Sequence, residues 1–104
     1  MYSQKEIREL VKKIQEVSGP DKVYLFGSYA SGRARENSDV DICIIKNDFA
    51  AKSEELLKVK KMILNVDIPV DILLFKEADF TKRQNIWGSV QYEVFHNGIK
   101  MYEK

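Results

Sequence analysis

Residues 26–41 of the sequence read Phe26-Gly-Ser-Tyr-Ala-Ser-Gly-Arg-Ala-Arg-Glu-Asn-Ser-Asp-Val-Asp41. Within this stretch, Gly27-Ser28 is followed after ten residues by Asp39-x-Asp41. The apolar and aromatic run from Lys22 to Gly27 predicts a strand buried on both faces, and Asp39 to Lys46 predicts a second strand. Because side chains alternate between the two faces of a strand, Asp39 and Asp41 lie on the same face. The stretch therefore predicts two strands joined by a loop, with two acids sharing one strand end.

The sequence on either side predicts further helices and strands. The capping box of Ser3 and Glu6 begins a helix over residues 3–18, in which apolar residues recur at helical spacing. An amphipathic helix is predicted from Ala51 to Leu64, and a third strand from Pro69 to Phe75.

The last quarter of the chain predicts one more helix and one more strand. Asn85 is predicted to cap a helix that bears Trp87 and Val94 and ends at Asn97-Gly98. A short edge strand is predicted from Ile99 to Tyr102. Together these elements predict an α/β (α+β) fold, a small mixed β-sheet flanked by helices, in one domain spanning residues 1–104.

The composition excludes several classes of protein. The chain has 104 residues, with 17 Lys+Arg against 16 Asp+Glu, so it forms one small core and lacks the clustered basic charge of a broad nucleic-acid binder. No apolar run approaches the roughly 20 residues that a membrane span needs, and the N-terminus has no secretory signal. We therefore expect a cytoplasmic protein without membrane attachment or direct nucleic-acid binding. The single cysteine, Cys43, lies among isoleucines and is expected to be a small buried hydrophobe.

The acids indicate metal-dependent chemistry. Asp-x-Asp on a strand directs two carboxylates to one point, and their mutual repulsion is relieved by a proton or a cation. Asp71, within the apolar run of the third strand, is the natural third acid, because burying a carboxylate without a partner is costly. Three carboxylates can hold two Mg²⁺ ions roughly 3.5–4 Å apart for an in-line phosphoryl displacement, in which Asp71 takes the proton of the attacking hydroxyl. Gly27 allows a tight turn, and Ser28 opens a short helix whose free N–H groups suit a phosphate.

This pattern resembles the signature of the minimal nucleotidyltransferase family, within the DNA polymerase β-like nucleotidyltransferase superfamily. The resemblance is close from Leu25 to Ile45 and looser toward the C-terminus. It implies a polymerase β-like fold, contacts from Gly27 and Ser28 to nucleotide phosphates, and divalent ions on Asp39, Asp41 and Asp71. Many members of the family have Arg where this chain has Ser31. Arg33 or Arg35 either replaces that phosphate contact or is solvated surface.

The resemblance also implies a function. Members transfer a nucleoside monophosphate, commonly AMP from ATP, to a hydroxyl and release pyrophosphate. Those of this size resemble antitoxins that add AMP to a tyrosine of a HEPN-domain toxin, usually an RNase. Two alternatives remain: an antitoxin that occludes its partner without catalysis, and nucleotidyl transfer to a small molecule. Whether the chain forms homo-oligomers or hetero-oligomers stays open.

Each candidate residue also has a structural explanation. Asp39 and Asp41 alone fit a solvated strand end, and Asp67 competes with Asp71 for the role of third acid, although it falls in a turn-like segment. His96 suits the C-terminal turn of a helix better than a metal site. The remaining aromatic residues near the C-terminus are expected to form core or partner interface: Trp87, Tyr92 and Phe95.

Overall fold

In the computed structural model, which describes residues 1–104, helices and strands alternate along most of the chain. In chain order the elements are α1 (Gln4–Ser18), β1 (Lys22–Phe26), α2 (Ser28–Ser31), β2 (Val40–Lys46), α3 (Lys52–Ile63), β3 (Val70–Lys76), α4 (Glu77–Arg83), α5 (Val90–Asn97) and β4 (Ile99–Glu103). The predicted capping box of α1 is confirmed: the Glu6 N–H donates to Ser3 Oγ, and the Ser3 N–H donates to Glu6 Oε1.

The four strands form one mixed sheet in the order β3-β2-β1-β4. β2 pairs with β3 in parallel, whereas β1 is antiparallel to both β2 and β4. A parallel pair needs a long crossover connection, which α3 supplies between β2 and β3. The predicted mixed sheet flanked by helices is therefore confirmed, with β2 and β1 in its centre and β3 and β4 at its edges.

Helices cover both faces of the sheet. On one face, α1 and α3 pack on the strands through a cluster that includes Leu10, Ile14, Ile42 and Val59. On the other face, Phe80 of α4 and Val94 of α5 pack against strand residues in a smaller cluster that contains Tyr24, Cys43 and Ile45. Cys43 is completely buried, as expected, and burial raises the pKa of its thiol to about 12. No helix of the chain is both long and apolar enough to cross a membrane.

The prediction for the last helix is wrong at its start. Asn85 does not cap α5; Ser89 does, and its side chain accepts a hydrogen bond from the Tyr92 N–H. Gly88, with a φ of +88°, interrupts the segment between Asn85 and Ser89. The seven-residue helix α4 was not predicted, and the Asn85 side chain instead hydrogen-bonds His96 Nε2 at 2.9 Å.

Candidate active site

The turn after β1 depends on Gly27. Its backbone has a φ of +71° and a ψ of −148°, a conformation that essentially only glycine adopts. A Cβ at this position would also clash with Asp41 Oδ2 and lie 3.1 Å from Asp41 Cγ. Gly27 is thus required both by the path of the backbone and by the space that the Asp41 carboxylate occupies. The predicted short helix follows directly as α2, which begins at Ser28.

The register of three strands brings the site together. Asp41 in β2 is the partner of Phe26 in β1 on one side and of Asp71 in β3 on the other. Residues directly opposite each other in a sheet point to the same face, so the carboxylates of Asp41 and Asp71 are neighbours. Asp39 lies two residues before Asp41 and just outside the strand. The structure therefore places the three predicted acids at one end of β2 and β3, beside Gly27.

The electrostatics agree with this placement. Asp41 is half-buried, and burial raises the pKa of its carboxyl above the ordinary value. The negative charges of Asp71 and Asp39 raise that pKa further. A cation beside Asp41 would relieve both the burial penalty and the repulsion, so the chemistry of the donor set fits a hard divalent ion such as Mg²⁺.

The three acids differ in two ways from the ligands of a fully assembled metal centre. Asp71 is exposed rather than buried among apolar residues, because β3 is an edge strand of the sheet. No group of three or more His, Cys, Asp or Glu side chains in the chain is already arranged to hold a metal ion. The assignment of Asp39, Asp41 and Asp71 as metal ligands therefore stays a prediction.

The loop between α2 and β2 carries the candidate phosphate-binding arginines. The Arg33 N–H donates to the Ser28 carbonyl at 2.9 Å, which fixes the start of the loop on α2. The side chains of Arg33 and Arg35 are exposed and form no ion pair. Ser31, where family members often have Arg, donates its hydroxyl to the Ser28 carbonyl at 3.2 Å. The loop thus holds two uncommitted cations close in sequence to Gly27 and Ser28.

Sequence reasoning missed the residue that anchors α2. The Tyr2 N–H donates to the Tyr29 hydroxyl at 3.1 Å, which ties α2 to the start of α1. Tyr2 and Tyr29 also line the largest cavity, about 420 Å³, which lies on the side of α1 and contains none of the acids. No sequence signal could have found this contact, since the two residues are 27 positions apart.

The competing candidates lie elsewhere. Asp67 is exposed in the bend before β3 and lines a surface pocket with Glu6, Glu9 and Lys13 of α1. His96 stacks on Tyr92, with ring centroids 4.0 Å apart, and bonds Asn85. Neither residue therefore joins the group formed by Asp39, Asp41 and Asp71.

A Gly-Ser turn beside paired strands that carry the three acids is the arrangement that the resemblance to nucleotidyltransferases implies. The family model described as polymerase beta, nucleotidyltransferase, matches residues 5–104, and the chain belongs to this family.

Individual relatives extend this comparison. The chain is 28% identical over 94 residues to the protein adenylyltransferase MntA of Shewanella oneidensis, a match that covers 84% of this chain and 63% of MntA. The chain thus spans less than two thirds of the length of that curated relative. Among solved structures, it resembles a chain of a toxin–antitoxin crystal structure with AMP-PNP, with a TM-score of 0.66, 23% identity, and 93% of this chain and 73% of the other covered.

A second solved structure has a similar fold. It is a tri-AMPylated Shewanella oneidensis HEPN toxin in complex with an MNT antitoxin, matched with a TM-score of 0.62 and 19% identity over 98% of this chain and 74% of the other. At these identities the two structures establish the fold, which confirms the predicted polymerase β-like architecture.

Proposed function

We propose that the chain transfers AMP from ATP to a tyrosine hydroxyl of a HEPN-domain toxin, and so acts as the antitoxin of a toxin–antitoxin pair. The observation that carries this proposal is the pairing of Asp41 with Asp71 in adjacent parallel strands, beside Gly27. Family membership supports the reaction class. The similarity to MntA and to complexes that contain AMP-PNP or an AMPylated HEPN toxin supports AMP as the transferred group and the toxin as its acceptor.

The Gly27-Ser28 turn is the proposed phosphate-binding element. The first N–H groups of a helix have no partner within the helix, and those of α2 begin at Ser28. Arg33 adds a cation that no acid of the chain neutralises. The triphosphate of ATP would therefore meet backbone donors and a guanidinium next to the acids.

The acids have two proposed roles. Asp39, Asp41 and Asp71 would hold Mg²⁺, which supplies charge neutralisation for the triphosphate and for the carboxylates themselves. Asp71, which is exposed on the edge strand, would accept the proton of the attacking tyrosine. The phenol oxygen then forms a bond to the α-phosphorus, the bond from that phosphorus to the bridging oxygen breaks, and pyrophosphate leaves. Because the donor is ATP, we place the reaction in the cytoplasm.

A labelling assay tests the proposal. The chain, Mg²⁺, ATP labelled at the α-phosphate and a purified HEPN-domain partner are expected to yield a labelled partner. Asp41→Asn removes a central carboxylate and is expected to lower the transfer rate by at least about 100-fold. Asp71→Asn is expected to have a similar effect, because it removes the proposed proton acceptor.

Asp67→Asn is the matched control, since Asp67 is an exposed acid in the bend before β3 and lies outside the site. This variant is expected to transfer AMP at the wild-type rate. Wild-type labelling by Asp41→Asn would contradict the assignment of the site. Tight binding of the partner without any labelling would instead support inhibition by occlusion.

A further inference from the structure

The segment from α4 to α5 exposes an unusual amount of apolar surface. Ile86, Trp87, Val90 and Phe95 are exposed by 47%, 83%, 44% and 40%, and we call these four residues the α4–α5 patch. A single exposed apolar side chain is ordinary, but a group that includes a nearly free tryptophan marks an interaction surface. Tryptophan is also among the residues that contribute most to binding at protein interfaces.

Trp87 stands on an ordered turn. The Ile86 N–H donates to the Arg83 carbonyl at 3.0 Å, and the Ser89 N–H donates to the Ile86 carbonyl at 3.1 Å. The Ser89 hydroxyl also donates to the Ile86 carbonyl at 2.8 Å, which adds a second hydrogen bond across the same turn. The Trp87 ring packs edge-on against Tyr92, with centroids 5.2 Å apart. Because the backbone of the turn is already hydrogen-bonded, binding through Trp87 requires little further ordering of this segment.

The position of the patch relates it to the acids. Phe80 and Val94 attach α4 and α5 to the sheet face that carries Cys43 and Ile45. Asp41, Cys43 and Ile45 are two residues apart along β2, so Asp41 lies on the same face, at the end that contains Gly27. A macromolecule seated on the α4–α5 patch is thus on the same side of the sheet as the three carboxylates.

The position of the patch indicates its occupant. Its charges do not select one, because Lys82 and Arg83 of α4 form no ion pair within the chain, and neither do the exposed acids Asp79 of α4 and Glu93 of α5. The tyrosine hydroxyl that accepts AMP has to reach the carboxylates, so the protein that carries it has to approach the sheet face on which the patch lies.

From these observations we infer that the α4–α5 patch docks the protein that carries the acceptor tyrosine, with Trp87 inserted into an apolar pocket of that protein. This inference rests on the proposed function, because it gives the acceptor its place on the chain. It adds that the patch sets the KM for the acceptor, whereas the acids set kcat.

The test compares two exposed apolar residues. Trp87→Ser is expected to weaken binding of the purified HEPN-domain partner at least about 30-fold in calorimetry. It raises the KM for that partner, leaves kcat at saturation unchanged, and leaves the affinity for ATP unchanged. Leu64→Ser is the matched control, because Leu64 is 85% exposed just after α3 and outside the patch. It binds and modifies the partner as wild type does.

A second measurement uses the chain's single tryptophan. With fluorotryptophan at this position, fluorine NMR shows one resonance, which shifts when the partner is added. If the wild type transfers AMP but the resonance does not shift, the docking surface is overturned and the proposed function stands. The same holds if Trp87→Ser binds the partner as tightly as the wild type does. A wild-type dimer that Trp87→Ser converts to a monomer also overturns the docking surface. Absence of any transfer to the partner rejects the proposed function itself.

Discussion

At the scale of single residues, Gly27 links the backbone to the chemistry of the site. It turns the chain at the end of β1, and it leaves the space into which the Asp41 carboxylate fits. The pKa of that carboxyl is already raised by burial and by two neighbouring acids, so its position is electrostatically costly. A glycine is therefore what allows a crowded acidic group to form at the end of this sheet.

Gly27→Ala is expected to damage the site more than it damages the fold. The strained backbone costs about 1–3 kcal/mol in the free energy of unfolding. Displacement of Asp41 is expected to reduce AMP transfer by about 100-fold or more. Urea unfolding and the labelling assay measure the two effects separately.

Gly32→Ala is the control for this prediction. Gly32 also has a positive φ, +78°, but a Cβ there has open space around it. The variant is expected to lose about 1–2 kcal/mol of stability and to retain transfer. Equal losses of transfer in both variants would contradict a specific role of Gly27 in placing Asp41.

The sequence indicated all three acids of the candidate site but not the strand register that makes Asp41 and Asp71 neighbours. Gly27, Asp39 and Asp41 are recognisable from their spacing, because they lie within fifteen consecutive residues of the chain. The neighbour of Asp41 on the other side, Asp71, depends on the register between β2 and β3, which is set by packing over residues far apart in sequence. Its exposure could not be predicted either, since a local pattern does not show which strand lies at an edge.

At the scale of elements, an ion-pair group fastens α3 to the sheet. Glu55 of α3 binds Lys46 at the end of β2 at 2.9 Å and Lys58 of its own helix at 3.1 Å. The side chains of Glu55 and Lys46 are 13% and 16% exposed, so this pair is better shielded than the other ion pairs of the chain. Hydrogen bonds from the two lysines lower the pKa of Glu55.

Glu55→Gln is expected to destabilise the protein by about 1–2 kcal/mol at neutral pH. A lowered pKa means that the carboxylate stabilises the fold above its ordinary pKa of 4.5 and loses this contribution as the pH falls through the lowered value. The difference from wild type therefore shrinks in acid, as urea unfolding across pH would show. Glu54→Gln, an exposed neighbour without an ion pair, should match wild type at every pH.

The elements that the sequence failed to predict have weak local signals. α4 follows β3 without a turn, its N-cap Lys76 has no capping side chain, and it buries only Phe80. Asn85 and Ser89 are both good capping residues, and the residue that caps α5 is Ser89. Gly88 is the residue that indicates the correct start, because its positive φ ends any helix that begins at Asn85. By contrast, α1 has a capping box and a regular apolar stripe, and its prediction is confirmed.

At the scale of the whole molecule, the smaller cluster holds α4 and α5 on the sheet. Phe80 is 1% exposed and contacts three other rings, with centroid distances of 5.8 Å to Tyr24, 6.1 Å to Phe75 and 6.3 Å to Phe95. The larger cluster on the opposite face contains none of these residues. α4 therefore depends on one buried phenylalanine for its attachment to the sheet, whereas α5 is also held by Val94.

Phe80→Ala is expected to cost about 3–5 kcal/mol in the free energy of unfolding, a large share of the roughly 5–15 kcal/mol typical of a domain. Phe80→Leu keeps most of the volume and is expected to cost less than about 1.5 kcal/mol. Denaturant melts of both variants provide the comparison. A loss below 1.5 kcal/mol for Phe80→Ala would show that α4 does not pack on the sheet as described.

The edge position of β3 has a consequence for the stability of the group formed by the three acids. Asp41 stands on a strand paired on both sides, whereas Asp71 stands on a seven-residue strand that is hydrogen-bonded along one side only. Edge strands open by local fluctuation at a lower free energy than central strands, without unfolding of the remainder. Local opening of β3 would therefore separate Asp71 from the other two acids while the rest of the fold stays intact. A protein bound to α4, which packs on β3 through Phe80 and Phe75, would oppose this opening, so binding of the acceptor and the integrity of the group of acids would be thermodynamically linked.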